Sequence, residues 1–231
     1  MRLIFVRHGE PDYTNDCLTE NGIKQAKCTA ERLKEEPITA VYSSPMGRAF
    51  QTAHFTAEKH SLAVQKLGFM HEIDWGDAFE GAGLPHEGHP WTLANMFYDE
   101  CDGSAVGGDW REHRYFRDNR CLGFYDMISR RFDEFLAGFG LIRENGVYRC
   151  ERECGDTVAL FAHGGSGAVM FSHVLSLPLP YVLAAMPYGV CSVSVVEFCP
   201  AAGKTVVPRI ELFNDMRHLD SVRPETLRFD K

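Results

Sequence analysis

Near the start of the chain stands the run LIFVRHGE, residues 3–10. Its first four residues are all apolar, a pattern typical of a strand buried in the middle of a sheet. Arg7, His8, Gly9 and Glu10 follow, so polar groups stand directly at the carboxyl end of this strand. Open α/β sheets bind their ligands at that end. The run therefore predicts a buried first strand and a candidate site around His8.

Beyond this run the chain repeats an order of strand, turn and helix. Apolar residues at a spacing of three to four predict helices over about 19–36, 120–138 and 164–175, and Ser44, followed by Pro45, predicts the N-cap of a further helix that runs to about residue 59. Further strands are predicted at 40–43, 62–66, 157–162, 192–198 and 205–213, the last two forming a hairpin around Pro200–Gly203. The alternation predicts an α/β fold of three layers, with helices on both faces of a mostly parallel central sheet.

The length of 231 residues fits one large domain, which we expect to span residues 1–231. Gly76–Asn119 shows no sustained period and is rich in Gly, His, Trp and Asp. We therefore expect an insertion or lid at about residues 83–119.

The charge balance argues against broad electrostatic partners. Twenty-four basic residues stand against 32 acidic ones, a formal net charge of −8, which disfavours binding to nucleic acid or to an anionic membrane surface. The apolar runs fall short of the ~20 residues that span a bilayer, and the first residues lack the pattern of a signal peptide. A cytoplasmic protein without membrane contact is expected, with any anion site confined to a local pocket.

The eight cysteines are scattered and are expected to be free, mostly buried thiols. The nearest approach to a metal pattern is Cys150-x3-Cys154, which lacks a second Cys or His pair at zinc-ribbon spacing. We expect no metal site.

Two further strand ends carry groups that suit a phosphate. Arg48 stands in the first turn of a predicted helix, where a cation opposes the helix dipole unless a bound dianion pairs with both. His163 follows the strand 157–162 and precedes Gly164 and Gly165, which allow close approach of a ligand to the backbone. With His8, three strand ends are predicted to converge on one anion site.

These residues belong to a longer series of motifs that resembles the histidine phosphatase superfamily, in its phosphoglycerate-mutase-like branch. In chain order the motifs are Arg7-His8-Gly9-Glu10, Leu18-Thr19-Glu20-x-Gly22-x-x-Gln25-Ala26, Ser43-Ser44-Pro45-x-x-Arg48-Ala49-x-Gln51-Thr52, Glu72-x-x-x-Gly76-x-x-Glu80-Gly81, Ala162-His163-Gly164-Gly165 and Phe213-Asn214-Asp215-x-x-His218-Leu219. Any one motif is modest evidence, but their order and their places at strand ends make the combination specific. Only Gly83–Asn119 has no clear counterpart.

The resemblance implies a catalytic set. His8 would be the nucleophile that forms a phosphohistidine, kept neutral by neighbouring positive charge. Arg7, Arg48 and His163 would bind the phosphate together with a backbone amide near Gly164. Glu72 would protonate the leaving alkoxide and afterwards activate water. This chemistry requires no metal and no cofactor.

Other polar residues have weaker assignments. Glu10, Asp12 and Asn15 lie in the loop after the nucleophile, where the family commonly carries an Asn on the phosphate. Here the loop is shorter, and Glu10 and Asn15 are candidate substrate-binding residues. A second group, in the insertion, would either clamp the distal end of a substrate or form a solvated lid: His86, His89, Trp91, Trp110, Arg111, His113, Arg114 and Arg117. Asn214 and His218 are expected to have structural roles.

Three functions fit these motifs. The first is a phosphatase acting on a small phosphorylated metabolite, because Ile73-Asp74-Trp75-Gly76 stands where mutases of the family have Arg-His-Tyr-Gly. The second is a mutase, which the long insertion favours. The third is an inactive phosphoryl-ligand sensor on the same fold. Sugar phosphate, phosphoglycerate, nucleotide and cobalamin-precursor phosphate all stay open as substrates, and a homodimer is open too.

Overall fold

The computed structural model describes residues 1–101, 109–198 and 201–222. Its strands are β1 (Arg2–Arg7), β2 (Pro11–Asp12), β3 (Cys17–Leu18), β4 (Ala40–Ser43), β5 (Val64–Lys66), β6 (Leu141–Glu144), β7 (Val147–Cys150), β8 (Thr157–Ala162), β9 (Val193–Glu197), β10 (Thr205–Val206) and β11 (Arg209–Asp215). Its α-helices are α1 (Glu20–Leu33), α2 (Gly47–Lys59), α3 (Pro90–Glu100), α4 (Arg114–Arg117), α5 (Cys121–Ala137), α6 (Gly164–Leu175) and α7 (Leu179–Ala185).

Six strands form the central sheet in the order β11-β9-β1-β8-β4-β5. The pairs β1·β8, β8·β4 and β4·β5 are parallel, whereas β9 runs antiparallel to both β1 and β11. The strand β1 lies inside the sheet, and its residues 3–6 are completely buried. The predicted α/β fold with a mostly parallel sheet is confirmed.

The two faces of the sheet follow the alternation of side chains along the strands. On one face Phe5 and Leu160 pack in a core with residues of α3, α5, α6 and α7. On the other face Ile4, Val6 and Phe161 pack with residues of α1 and α2. Each fully buried side chain of this kind contributes about 1.5–3 kcal/mol to stability, so burial on both faces holds the three layers together.

The starts of α1 and α2 differ in how they are capped. Thr19 caps α1, because its Oγ1 accepts a hydrogen bond from the Gly22 amide at 3.0 Å. The prediction that Ser44 caps α2 is wrong: this helix begins at Gly47, after Met46. Asp16, on the loop before β3, accepts the Gly47 amide at 2.7 Å instead.

The end of the chain is only partly as predicted. The strand 192–198 is confirmed as β9, but the predicted strand 205–213 is divided. Thr205–Val206 pairs with β7 in a small three-stranded sheet, and only β11 pairs with β9. Pro208, which lacks the amide a ladder needs, stands between the two pieces. Residues 199 and 200 of the predicted turn lie outside the described residues.

The hairpin β6–β7 was not predicted. Asn145 and Gly146 connect its strands, both with positive φ angles, 50° and 86°. An Asn-Gly pair between two short strands is the usual signal for such a turn, so the sequence did contain the information.

The predicted insertion contains more regular structure than expected. Its helix α3 packs against α7, and its side chains Leu93, Phe97 and Phe116 join the core that contains Phe5. The start of the insertion packs closely against the loop after Glu72. A Cβ at Gly88 would lie only 2.6 Å from the Gly76 Cα. The insertion therefore shares the core of the sheet, although residues 102–108 lie outside the described residues. Within the described ranges, no helix combines the length and the apolar character needed to cross a membrane.

Candidate active site

The carboxyl ends of β1, β8 and β4 bring two histidines and an arginine together. The ring centroids of His8 and His163 are 5.1 Å apart. Arg48, in the first turn of α2, places its Nε 3.3 Å from His8 Nε2. Neighbouring parallel strands end at the same edge of the sheet, so these residues meet although they are far apart in sequence.

His8 is 1% exposed and is held in one orientation. Its Nδ1 lies 2.7 Å from the carbonyl oxygen of Gly9, which can only accept, so Nδ1 carries a proton. Burial, followed by the charges of Arg7 and Arg48, lowers the pKa of His8 to about 3. The neutral ring therefore keeps its lone pair on Nε2.

Arg48 is oriented by a residue that the sequence did not reveal. Its Nη1 donates to Asp16 Oδ1 at 2.6 Å, and the other oxygen of Asp16 accepts the Gly47 amide. Any side chain at Gly47 would collide with the Asp16 carbonyl. Asp16 thus fixes Arg48 and the start of α2 together, through a tertiary contact that no local motif announces.

Arg7 and His163 each keep a buried nitrogen that has no hydrogen-bond partner within residues 1–101, 109–198 and 201–222. Arg7 Nη1 donates to the Tyr188 carbonyl at 2.9 Å, but its Nε is unpaired. His163 Nε2 lies 2.7 Å from Ser44 Oγ, but its Nδ1 is unpaired. Burial, then His8, Arg48 and Arg7, lowers the pKa of His163, which is therefore neutral. Unpaired buried groups in one place point to a polar ligand that binds there.

Glu72 lies against the first turn of α6. Its Oε1 accepts hydrogen bonds from the amides of Gly165 at 2.9 Å, Ser166 at 3.1 Å and Ile73 at 3.0 Å. Burial raises the pKa of Glu72, while these amides and the charge of Arg7 oppose the increase. Because Oε1 is occupied, Oε2 is the oxygen that can carry a proton. A Cβ at Gly165 would lie 2.6 Å from Oε1 and 2.3 Å from Ile73 Cγ1, so a larger residue there would displace both side chains.

The three residues assigned to substrate binding lie in different surroundings. Gly164 is at the start of α6, and the Tyr188 hydroxyl donates to its carbonyl. The carboxylate of Glu10 accepts from Thr19 at 2.8 Å and from Asn21 at 2.9 Å, at the beginning of α1. The exposed side chain of Asn15 donates to Asp12 at 2.7 Å. The contacts of Glu10 and Asn15 do not support substrate binding, which stays a prediction.

The polar cluster of the insertion does not act as one group. Arg111, Arg114 and Arg117 contact Asp126, the Gly83 carbonyl and Asp118 at the surface. Trp110 is buried in the core.

Trp91, by contrast, lines a cavity of about 20 Å³ together with Arg7 and Gly164. Its ring lies near those of His89 and Trp75. Of the cluster, Trp91 is the member that reaches the candidate site.

Asn214 and His218 make structural contacts, as expected. The side chain of Asn214 accepts the Gly189 amide at 3.0 Å. His218 Nε2 lies 3.0 Å from the Cys191 carbonyl, near the end of the sheet.

Comparison with known families and curated proteins gives consistent matches. The family described as the histidine phosphatase superfamily (branch 1) matches residues 3–134. Phosphoserine phosphatase 1 of Hydrogenobacter thermophilus is 38% identical over 142 residues, which are 57% of this chain and 65% of that protein. The 2,3-bisphosphoglycerate-dependent phosphoglycerate mutase of Thermoplasma acidophilum is 38% identical over 85 residues, which are 32% of this chain and 42% of that protein. The matches thus span less than two thirds of these relatives.

Solved structures share the fold over nearly the whole chain. A mycobacterial glucosyl-3-phosphoglycerate phosphatase superposes with a TM-score of 0.61 at 23% identity, covering 92% of this chain and 98% of that one. A phosphoserine phosphatase mutant of Entamoeba histolytica, in complex with phosphoserine, gives a TM-score of 0.59 at 20% identity, with 94% and 98% covered. At these identities the likeness concerns the fold.

The neutral state of His8 predicts that acid destabilises the protein. A histidine with a pKa near 6.5 when unfolded and about 3 when folded binds more protons in the unfolded state, so its contribution falls as the pH drops below 6.5. Between about pH 7 and pH 5 it should remove about 2 kcal/mol from the free energy of unfolding. Urea unfolding of the wild type and His8→Gln at both pH values should show a smaller pH dependence of the free energy of unfolding in the variant.

The exposed His54 gives the control. His54→Gln should retain the full pH dependence of the wild type. A pH dependence in His8→Gln equal to that of the wild type would contradict the buried neutral state of His8.

The contact at Gly165 predicts a second effect. Gly165→Ala should displace the Glu72 carboxylate and, for the phosphatase activity that the motifs predict, lower kcat/KM by about 10²-fold, since catalysis is sensitive to displacements of this size. Gly123→Ala is the matched control, because it changes an exposed helical glycine whose Cβ would meet nothing within 4 Å. The control should keep full activity. Wild-type kinetics for Gly165→Ala would show that Glu72 is not held as described.

Proposed function

The chain belongs to branch 1 of the histidine phosphatase superfamily, and we propose that it is a metal-independent phosphatase that hydrolyses a small phosphomonoester through a phosphohistidine on His8. The proposal rests mainly on the buried, neutral His8. Its Nε2 lone pair faces Arg48, and its ring lies beside Arg7 and His163. Phosphoryl transfer needs a positioned nucleophile and fixed positive charge around the phosphoryl oxygens. These residues supply both.

In the first step, His8 Nε2 attacks phosphorus while the bond from phosphorus to the ester oxygen breaks. Arg7, Arg48 and His163 donate to the three remaining phosphoryl oxygens, as does a backbone amide near Gly164. The imidazole becomes positively charged, and its Nδ1–H bond to the Gly9 carbonyl strengthens accordingly. Burial raises the pKa of Glu72 and so favours its protonated form, whose proton passes from Oε2 to the leaving alkoxide.

In the second step, the Glu72 carboxylate takes a proton from a water molecule. The water oxygen attacks phosphorus, the bond to His8 Nε2 breaks, and inorganic phosphate leaves. Glu72 ends the cycle protonated, as it began it. One carboxyl group serves both steps because its Oε1 is anchored by three amides while Oε2 is available to the reacting groups.

A mutase is the second candidate, because a phosphoglycerate mutase is among the relatives. A mutase returns the phosphoryl group to an intermediate and excludes water. The insertion supports a covering role, since Trp91 lines the cavity beside Arg7. Ile73-Asp74-Trp75-Gly76 supports the phosphatase instead. Incubating the labelled phosphoenzyme with phosphoglycerates distinguishes them: release as inorganic phosphate favours the phosphatase, and transfer to the acceptor favours the mutase.

The partners and the location are also proposals. A panel of small metabolites is the appropriate substrate screen, beginning with phosphoserine and glucosyl-3-phosphoglycerate, which the related proteins' names contain. The net charge of −8 favours such a partner over nucleic acid. The buried thiols of Cys121 and Cys191 support a reducing compartment such as the cytoplasm. Sedimentation analysis would decide between monomer and homodimer.

The proposed mechanism predicts the behaviour of the nucleophile, His8. Wild-type protein treated with a ³²P-labelled phosphomonoester and quenched rapidly should carry an acid-labile, base-stable label. His8→Ala should carry none, because it removes the imidazole nitrogen that lies 3.3 Å from Arg48 Nε. His163→Ala should still be labelled, more slowly, and His54→Ala should match the wild type. Label that persists in His8→Ala would remove His8 as the nucleophile.

The proposed mechanism also predicts the effect of replacing Glu72. A nitrophenolate leaves well without a proton, whereas an alkoxide does not, so loss of the acid should affect alkyl esters more. In single-turnover phosphorylation, Glu72→Gln should slow an alkyl phosphate by about 10²–10⁴-fold, the usual range for general acid catalysis. The aryl ester should lose much less in that step. Equal losses for both esters would mean that Glu72 only shapes the pocket, and Asp74 or Glu10 would become the residue to test.

A further inference from the structure

Ser44 connects the end of β4 to the candidate site. Its amide donates to the Phe161 carbonyl at 2.8 Å, which extends the pairing of β4 with β8 by one residue. Its side chain is completely buried, and its Oγ lies 2.7 Å from His163 Nε2. We infer that Ser44 is a positioning residue whose hydroxyl donates to His163 Nε2 and so keeps the imidazole in the tautomer with its proton on Nδ1. The inference rests on the proposed phosphatase function.

The direction of this hydrogen bond follows from the partners of the hydroxyl. A serine hydroxyl has one proton to donate and two lone pairs to accept. The Met46 amide donates to Ser44 Oγ at 3.2 Å and occupies one lone pair. Among the described residues, His163 Nε2 is the one hydrogen-bond acceptor for the hydroxyl proton. If Nε2 carried the proton, the hydroxyl would accept twice and leave its own proton buried without a partner, which is unfavourable.

The tautomer decides what His163 presents to a phosphoryl group. Burial, followed by four neighbouring positively charged or titratable groups, lowers the pKa of His163 and keeps the imidazole neutral, so it has one proton to place. With Nε2 accepting from Ser44, that proton is on Nδ1, the buried nitrogen that has no partner among the described residues. An Nδ1–H group donates a hydrogen bond to a phosphoryl oxygen. An unprotonated Nδ1 would repel that oxygen, because both atoms would point lone pairs at each other.

Ser43 provides a matched control beside it. This serine is equally buried, but its Oγ donates to the Ser44 carbonyl at 2.8 Å and not to His163. Ser43→Ala therefore removes a buried hydroxyl next to Ser44 without changing the hydroxyl that donates to His163 Nε2.

The direct test is a measurement of the tautomer. Two-bond ¹H–¹⁵N spectra of protein labelled with [¹⁵N]histidine, with His163 assigned through His163→Gln, should show a protonated Nδ1 and an unprotonated Nε2. Ser44→Ala should lose this preference, while Ser43→Ala should keep it. A protonated Nε2 in the wild-type protein overturns the inference, and this measurement does not depend on whether any variant folds poorly.

Kinetics supply the functional half of the test. Ser44→Ala should lower kcat/KM for a phosphomonoester by about 10- to 100-fold, the loss expected for one hydrogen bond to a charged group, and Ser44→Thr, which keeps the hydroxyl, should restore most of it. In a His163→Gln background, Ser44→Ala should change kcat/KM by less than about twofold, because its effect passes through His163. Losses that multiply in the double variant would assign Ser44 a purely structural role. A wild type with the expected tautomer and no hydrolysis of any ester would instead defeat the proposed function, so the two failures are distinguishable.

Discussion

The hydrogen bonding of β8 between β1 and β4 is the constraint on which the site depends. The His8 amide donates to the Ala162 carbonyl, and the Ser44 amide donates to Phe161, each at the last step of a parallel pairing. Neighbouring strands lie about 4.8 Å apart, so this register brings His8, His163 and Ser44 within reach of one another. A shift of one residue in either pairing would turn these side chains to the opposite face of the sheet.

The site concentrates positive charge and polar hydrogens where water has little access. Two guanidinium groups and two imidazoles meet there, and the histidines remain neutral because burial and like charge both oppose protonation. Each unpaired buried nitrogen, such as Arg7 Nε, costs about 1–3 kcal/mol. Under the proposed function, a bound tetrahedral dianion would accept hydrogen bonds from these nitrogens and so offset that cost. Stability and affinity for the ligand would then be linked through the same atoms.

The sequence predicted the parts of the site that depend on strand ends, because buried strands and the polar residues after them are local patterns. The convergence of His8, Arg48 and His163 was predicted in this way, and the structure brings the three side chains together. Asp16 was not, because its pairing with Arg48 arises only when the loop before β3 packs on α2. Ser44 was assigned to a helix cap, because a Ser-Pro pair has the same local pattern whether its hydroxyl binds an amide or an imidazole. The helix α3 was overlooked because its 11 residues lie among glycines and histidines that obscure its period.

Glu72 is anchored by the amides at the start of α6, a helix of the central fold, and not by the insertion that follows it. The chain leaves the Glu72 loop toward the insertion at Gly76, where its backbone passes close to Gly88. Under the proposed function the proton donor therefore lies in the central fold, while Trp91 of the insertion lines the cavity beside Arg7. Such a division would let the insertion diverge while Glu72 keeps its position, provided that the side chains it contributes to the core, such as Leu93 and Phe97, are kept; Gly76 and Gly88 mark the junction that a chimera has to respect.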